Sequence, residues 1–209
     1  MPKTVSSKSL LRCPCLIVVL LAACGGGSDP ASPLITSQNP PPPSSVENSA
    51  TVNTQNAAPA TTLNAALTCG IANFEDEILT RVNRARAASR MCGSSLYNAV
   101  APLTWNTNLF NAAAGHSNEM ATMNYFSHTS LDGSSFAQRI SAAGYFWSTI
   151  GENIAAGQSG IDEVVALWIS SPGHCANIMS GNFREIGLAC VASASAMYSN
   201  YWTMNLGRP

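Results

Sequence analysis

Apolar positions recur at helical spacing in four stretches of the chain's second two-thirds. Phe74, Ile78 and Val82 stand at i, i+4 and i+8, and Glu75, Asp76 and Glu77 form an acidic first turn after Asn73, a residue suited to capping. This predicts a helix running to about Ser89. Leu109, Ala113, His116 and Met120 line one stripe of a second helix, over Thr107–Met123. A third covers residues 134–143 and stops at Gly144, as helices often do. The fourth starts after Ser159 or Gly160, with Asp162 and Glu163 in its first turn. It presents Ile161, Val164, Val165 and Trp168 on one face, and Pro172 ends it.

Strand-like stretches come later. Residues 146–155 alternate apolar side chains around Gly151, and Glu185–Ala192 and residues 198–206 flank a turn at Ser193–Ala196, a hairpin pattern. Helices first and strands last predict an α+β arrangement, an antiparallel sheet with helices packed on its faces. Residues 67–209 are the length of one ordinary domain and hold all four tryptophans. No internal repeat is present.

The first 66 residues have a different character. Lys3, Lys8 and Arg12 precede an apolar run from Cys13 to Ala23, too short to span a membrane, so residues 1–23 read as a signal peptide. The run closes on Leu21-Ala22-Ala23-Cys24-Gly25, which resembles a bacterial lipoprotein box. The resemblance implies cleavage before Cys24 and acylation of that residue; several acyl chains anchor a protein stably where one alone binds marginally. Gly25, rather than an acid, after the cysteine points to the outer membrane or cell surface of a bacterial envelope. The other reading is a plain secretory signal cut after Ala23, which leaves a free Cys24. Residues 24–66 are rich in Gly, Ser, Pro, Asn, Thr and Ala, include Pro40 to Pro43 in a row, and have few apolar side chains to repay the entropy of folding. They read as a disordered linker. As a flexible coil it spans roughly 35–40 Å, enough to float a domain off a membrane.

Cysteine and charge narrow the class further. With Cys13, Cys15 and Cys24 assigned to the signal and the anchor, Cys69, Cys92, Cys175 and Cys190 remain, an even number that reads as two disulfides in an exported domain. Three pairings are open. The local pairs Cys69–Cys92 and Cys175–Cys190 are the expected ones, each closing a loop of about 15–25 residues and contributing about 3 kcal/mol. A zinc site using Cys175 and His174 lacks any Cys-x-x-Cys pair. Beyond the signal the chain has 7 arginines, no lysine and 11 acids, a net charge of −4. Its basic residues form no run beyond the spaced Arg81, Arg84, Arg86 and Arg90, so nucleic acid is not an expected partner.

The chain has three histidines, and two of them, with one acid, fall in distinctive short runs: Tyr125-Phe-Ser-His128, Gly151-Glu152-Asn153 and Trp168-Ile-Ser-Ser171-Pro-Gly-His174. In order along the chain stand Leu103-Thr-Trp105, His116, Asn124 to His128, Asp132-Gly133, Ala143-Gly-Tyr145, Gly151-Glu-Asn-Ile-Ala155, Trp168 with Ser171-Pro-Gly-His174, Ala176-Asn177-Ile178, Glu185-Ile-Gly187 and Tyr201-Trp-Thr203. Each run alone is weak; the ordered set resembles the CAP superfamily (cysteine-rich secretory proteins, antigen 5, pathogenesis-related 1), in its bacterial branch. The resemblance covers about residues 74–207. It implies a three-layer α-β-α sandwich around an antiparallel sheet. It also implies a cavity where two histidines and two acids hold a divalent ion such as zinc in some members. The matching positions are His128, Glu152 and His174, while Ser171 stands where the second acid is usual.

Two imidazoles and a carboxylate match the first shell of an open zinc site, whose bound water the metal would acidify. That supports a metal-assisted hydrolase of an envelope peptide, with Glu152 as ligand or base. Against it, the chain has no His-Glu-x-x-His pair and no separate general base. The same three residues also suit a hydrogen-bonded cluster that fixes the loops around a cleft, with Asn153 and Asn177 pinning the walls through backbone groups. His116, on its helix's apolar stripe, reads as a core histidine, and Trp105, Trp168 and Trp202 as core anchors. Gly157-Gln-Ser159-Gly160 is not a nucleophile elbow; Ser159 suits a helix cap. The favoured expectation is a membrane-tethered, non-enzymatic domain whose cleft binds a small, lipidic or peptidic ligand. A hydrolase and a purely structural or adhesive module are the alternatives.

Overall fold

A computed structural model describes residues 63–209 and the two-residue strand β1, Ile35–Thr36. The signal segment, Cys24 and the rest of the expected linker lie outside the described residues. Five helices follow: α1 (Phe74–Arg86), α2 (Thr107–Met123), α3 (Phe136–Ala142), α4 (Ile161–Ser170) and α5 (Pro172–Met179). The strands are β2 (Arg90–Cys92), β3 (Ser95–Tyr97), β4 (Thr104–Trp105), β5 (Thr149–Ala156), β6 (Glu185–Ala192) and β7 (Asn200–Arg208).

One sheet runs in the order β1-β5-β7-β6-β4. It is antiparallel except at its β4 edge, where Thr104 and Trp105 pair parallel to Glu185 and Ile186. Both of its faces are covered, which is why β5, β6 and β7 are buried along nearly their whole length rather than on alternate residues. On one face lie α2 and α3: Ile150 packs with Leu109, Phe136 and Ile140, and Ile154 with Met120 and Ala121. On the other lie α1, α4 and α5, whose Ile78, Val82, Val164, Trp168 and Ile178 share a core with Leu188, Trp202 and Met204. The result is a three-layer α-β-α sandwich, as the resemblance implies.

The long helix α2 rests almost directly on the sheet. A Cβ placed on Gly187 of β6 lies 2.0 Å from the Phe110 backbone nitrogen, so no side chain fits there. Beside this contact the Asn205 side chain donates to the Leu109 carbonyl at 3.2 Å, and the hydroxyls of Ser117 and Thr203 bond at 2.8 Å, both fully buried.

The local disulfide pairing expected from spacing is wrong. The bonds are Cys69–Cys190 and Cys92–Cys175, with Cα separations of 5.3 and 5.4 Å. Tertiary contacts decide this. Thr68 bridges to Cys190 of β6 in parallel, and the Cys69 amide donates to the Cys190 carbonyl, which brings the start of the domain to the sheet. The β2–β3 hairpin, turning at Gly93 with φ 63°, folds against α5. The two bonds span 121 and 83 residues, so each restricts the unfolded chain by about 4.5–5 kcal/mol in the chain-entropy model, more than the local loops.

Local expectations needed three other adjustments. Asn73 adopts a left-handed conformation (φ 50°) and its side chain makes no cap bond; α1 ends at Arg86, before Ser89. Gly160, not Ser159, caps α4, while the Ser159 amide and hydroxyl bond to Glu163. Pro172 does end α4, yet it also opens α5 as its first residue, where a missing N–H costs nothing.

Candidate functional site

Glu152 lies in the middle of β5. Ile150 and Ile154, two residues either side, face the α2–α3 layer, and the pleat turns Glu152 the same way, fully buried. A carboxylate with no access to water needs strong donors, and it has two. His128 Nδ1 lies 2.8 Å from Oε1, and Arg139 Nη2 donates to Oε2 at 2.8 Å. Since a carboxylate oxygen only accepts here, the His128 ring carries its proton on Nδ1. In the neutral ring Nε2 is then bare. It is a buried atom without a hydrogen-bond partner among the described residues, although the side chain as a whole keeps 19% of its exposure.

The loop after α2 that presents His128 is held from both sides. Asn124 ends α2 in a left-handed conformation. His116 Nε2 donates to the carbonyl of Ser127 at 2.8 Å, one residue before His128. Arg139, on α3, donates to the His128 carbonyl at 3.0 Å, the Ser134 carbonyl at 3.0 Å and the Ser130 hydroxyl at 3.2 Å. The placement of α3 rests on a capping box, with Ser135 and Gln138 each bonding the other's backbone. One guanidinium thus ties three loop residues to β5.

Burial pushes the His116 imidazole down from its ordinary range; Glu152 opposes that, Arg139 reinforces it, and the bond to Ser127 and the Glu119 carboxylate oppose it. Tyr125 near the same cluster is pushed up to about 12, first by burial and then by its bond to Glu119.

His174 approaches from the other layer. It is the third residue of α5 and is 8% exposed. Asn153, which the pleat turns away from Glu152, donates to the His174 carbonyl at 3.1 Å, and Asn177 donates to the Asn153 side chain at 2.9 Å and to the Glu152 carbonyl at 3.4 Å. Along the outer edge of β5 the Trp168 indole donates to the Ile154 carbonyl at 3.0 Å. The edge of β5 is thus closed by side chains of α4 and α5 at Glu152 and Ile154. Ser171 joins α4 to α5 and contributes its backbone: its carbonyl accepts from the Cys175 amide, and its side chain makes no cap bond.

The structure therefore joins His128 and Glu152 directly and links His174 to the same strand through its backbone. Arg139, absent from the sequence reading, is the residue that completes the cluster. A signal for it was present: a buried acid needs a cation, and Arg139 is the only lysine or arginine between Arg90 and Arg184. A hollow of about 660 Å³ elsewhere, between residues 65–70, α2 and the β6–β7 turn, is lined by small side chains such as Ala65, Ala121 and Ser193 and by no ionisable group.

Residues 79–206 match the family model of the cysteine-rich secretory protein family, CAP. The chain belongs to this family. The chain is 32% identical over 151 residues to the uncharacterised protein YkwD of Bacillus subtilis, covering 70% of this chain and 55% of YkwD. It is 30% identical over 89 residues to the membrane protein YlbC of the same organism, covering 43% of this chain and 26% of YlbC. The chain thus spans about half and a quarter of these relatives. Among solved structures, it is similar to an extracellular protein containing an SCP domain from Bacillus anthracis, with a TM-score of 0.47, 29% identity, and 53% and 35% of the two chains covered. An outer surface protein of Borrelia burgdorferi gives a TM-score of 0.47 at 21% identity, with 52% and 79% covered.

The CAP resemblance raises a divalent ion, and the ligand atom that the described residues would offer it is His128 Nε2, whose ring Glu152 orients through Nδ1. Among the described residues no group of three or more His, Cys, Asp or Glu side chains is arranged to hold a metal. Both oxygens of Glu152 already accept hydrogen bonds, one from a guanidinium.

Proposed function

We propose that this CAP domain is a ligand-binding module held outside the cytoplasm of a bacterial cell by an acylated Cys24 and the segment that follows it. The cleft beside β5, with His128, Glu152 and His174 at its centre and Asn153, Asn177 and Ser171 in its wall, receives a small, lipidic or peptidic ligand. The observation that carries this reading is the His128 ring. It is fixed through Nδ1 by a buried carboxylate, while Nε2, on a partly exposed side chain, has no partner among the described residues. An unsatisfied buried ring nitrogen costs about 1–3 kcal/mol, and a bound donor would remove that cost.

Two disulfides agree with an oxidising compartment. No helix among the described residues is long and apolar enough to cross a membrane.

Two measurements test this reading. In cell fractionation, Cys24→Ser releases the protein from the membrane fraction; continued sedimentation with membranes removes the acyl anchor. For the cleft, soluble peptides and glycans from a bacterial envelope digest are titrated into the isotope-labelled protein. Resonance shifts centred on His128, Asn153 and His174 that disappear in His128→Phe support the reading, and shifts confined to other surfaces sink it.

A further inference from the structure

We infer that the end of the sheet where β5 and β6 begin and β7 finishes is a docking face for a bilayer of anionic phosphate headgroups, made by Arg84, Arg90, Arg184 and Arg208 with Phe146 beside them. It rests on the proposed acyl anchor only for holding the domain near a bilayer.

The charges of the domain are sorted along its length. Of the seven arginines beyond the signal, Arg139 is bound to Glu152, Arg86 is buried against carbonyls, and Arg81 pairs with Glu77 and Asp162. The other four are in no salt bridge among the described residues. They gather at one end. Thr149 pairs with Arg208 and Glu185 with Gly207, so Arg184 and Arg208 flank the same end of the sheet. α1 finishes there too: Arg86 reaches the Ser180 carbonyl and lies near the Arg184 charge, Arg84 shares its last turn, and Arg90 donates to the Ala85 carbonyl at 3.1 Å. Arg84, Arg184 and Arg208 are exposed and Arg90 is half-buried. Glu185, the acid on this end, is held by the Tyr145 hydroxyl at 2.6 Å and the Asn106 side-chain amide at 3.2 Å.

The opposite end carries the reverse sign. α1 starts there, where Phe74 stacks on Trp202, and α4 starts beyond Ala156 at the far end of β5. Glu75, Asp76, Glu77, Asp162 and Glu163 stand in those two first turns. The eight residues of β5 separate the ends by about 25 Å, about three Debye lengths at physiological salt. An anionic surface therefore attracts the arginine end while the acids stay screened from it, and the domain docks in one orientation despite its negative net charge.

Two observations place a bilayer at this end. Phe146 is 75% exposed, and its neighbour Tyr145 lies over Gly207, which sets the free ring among the arginines. Guanidinium groups on phosphates with an aromatic ring beside them suit the headgroup layer. β1 pairs with Thr149 and Ile150 at this same end, and residues 25–34 between it and Cys24 reach at most about 36–40 Å. Spread over a sheet end and a helix end, the four cations match an array of phosphates rather than one dissolved anion.

The test uses the full mature chain with Cys24→Ser, so that no acyl chain contributes, and vesicles of phosphatidylglycerol or phosphatidylcholine. Co-sedimentation should show binding to phosphatidylglycerol that weakens as salt rises, and far less binding to phosphatidylcholine. Arg184→Gln and Arg208→Gln, both at exposed positions, should each weaken it about fivefold, the effect of one arginine near an anionic surface. Phe146→Ser should weaken it while leaving the salt dependence unchanged. Arg81→Gln makes the same change of net charge at the acidic end and should alter binding by less than about twofold. Equal binding to both lipids, no binding to either, or a loss in Arg81→Gln equal to that in Arg208→Gln overturns the inference. So does release by inorganic phosphate at constant ionic strength, which marks a site for a free anion. The cell fractionation of Cys24→Ser reads the acyl chains alone, so the anchor and the docking face fail separately.

Discussion

The sulfur of Cys92 is bonded to that of Cys175, the residue directly after His174. The β2–β3 hairpin is thereby part of the same covalent unit as α5, and Cys92, Cys175 and Met179 share one buried cluster with Tyr97 against it. The hairpin itself is two strands of three residues, too short to hold its shape alone. The bond makes it a buttress for the helix that carries His174 and Asn177.

Replacing both Cys92 and Cys175 with alanine is expected to cost about 2–5 kcal/mol in urea unfolding. The loss should also be local. Amide exchange across Pro172–Met179 should speed up more than across Glu185–Ala192, which the Cys69–Cys190 bond still holds. Uniform acceleration in both segments would show that the bond acts on the whole domain and not as a buttress.

His116 is a buried group whose protonation opposes the fold at acid pH. Its ring is fully buried and its affinity for a proton is lowered, chiefly by burial. Above its ordinary pKa of 6.5 the ring is neutral in folded and unfolded chains alike and contributes no pH dependence. As pH falls below that value the unfolded chain takes up a proton that the folded one resists, so stability is lost with acidification. Thermal unfolding between neutral and mildly acid pH should show that fall, and His116→Gln, whose amide can still donate to Ser127, should flatten it. An equal slope in the variant would assign the acid loss to other groups.

How far the sequence carried depends on length and on what each residue's signal is. Thr107–Met123 was legible because seventeen residues repeat one apolar stripe, and Glu185–Ala192 because seven apolar or small residues follow Glu185 before a turn. α5 was not, since Pro172 signals both the end of one helix and the first turn of the next. The β2–β3 hairpin has too few residues to show alternation. Within the site, His128 and Glu152 were found by their motifs, but the partners of a buried charge come from elsewhere in the chain. The cysteine pairing failed for the same reason: nearness along the chain was used where contacts between Thr68 and Cys190, or between the hairpin and α5, decided.

Between α2 and the sheet, Ser117 and Thr203 form an isolated hydroxyl pair with no access to water. Ser117→Ala leaves the Thr203 hydroxyl without its partner and should cost about 1–3 kcal/mol. Adding Thr203→Val removes the orphan while keeping the shape, so the double variant should recover most of the loss. Unfolding by denaturant for the parent, both single variants and the double gives the coupling directly. If the double variant loses the sum of the single losses, the pair is not what those positions are kept for.

Arg86 at the end of α1 is the most demanding charge in the fold. It is fully buried, and its guanidinium donates to three carbonyls and to no carboxylate: Ala101 at 2.9 and 2.7 Å, Ile178 at 2.6 Å and Ser180 at 2.9 Å. Burial, with a smaller push from the Arg184 charge, lowers its pKa to about 10, so it remains cationic at neutral pH. Two of those carbonyls belong to the last turn of α5 and its cap, where helix carbonyls lack partners of their own and the dipole favours a cation. Arg86→Met keeps much of the volume but strands three acceptors, and should lower stability by at least about 3 kcal/mol. Arg86→Lys keeps the charge but not the planar fork that reaches Ala101 and α5 together, so it should recover only part. Because the lost contacts hold the far end of the helix that begins at Pro172, amide exchange in α5 should rise in both variants before global unfolding. A methionine variant with the parent's unfolding midpoint would show that the three carbonyls find water instead, and that α5 does not depend on Arg86.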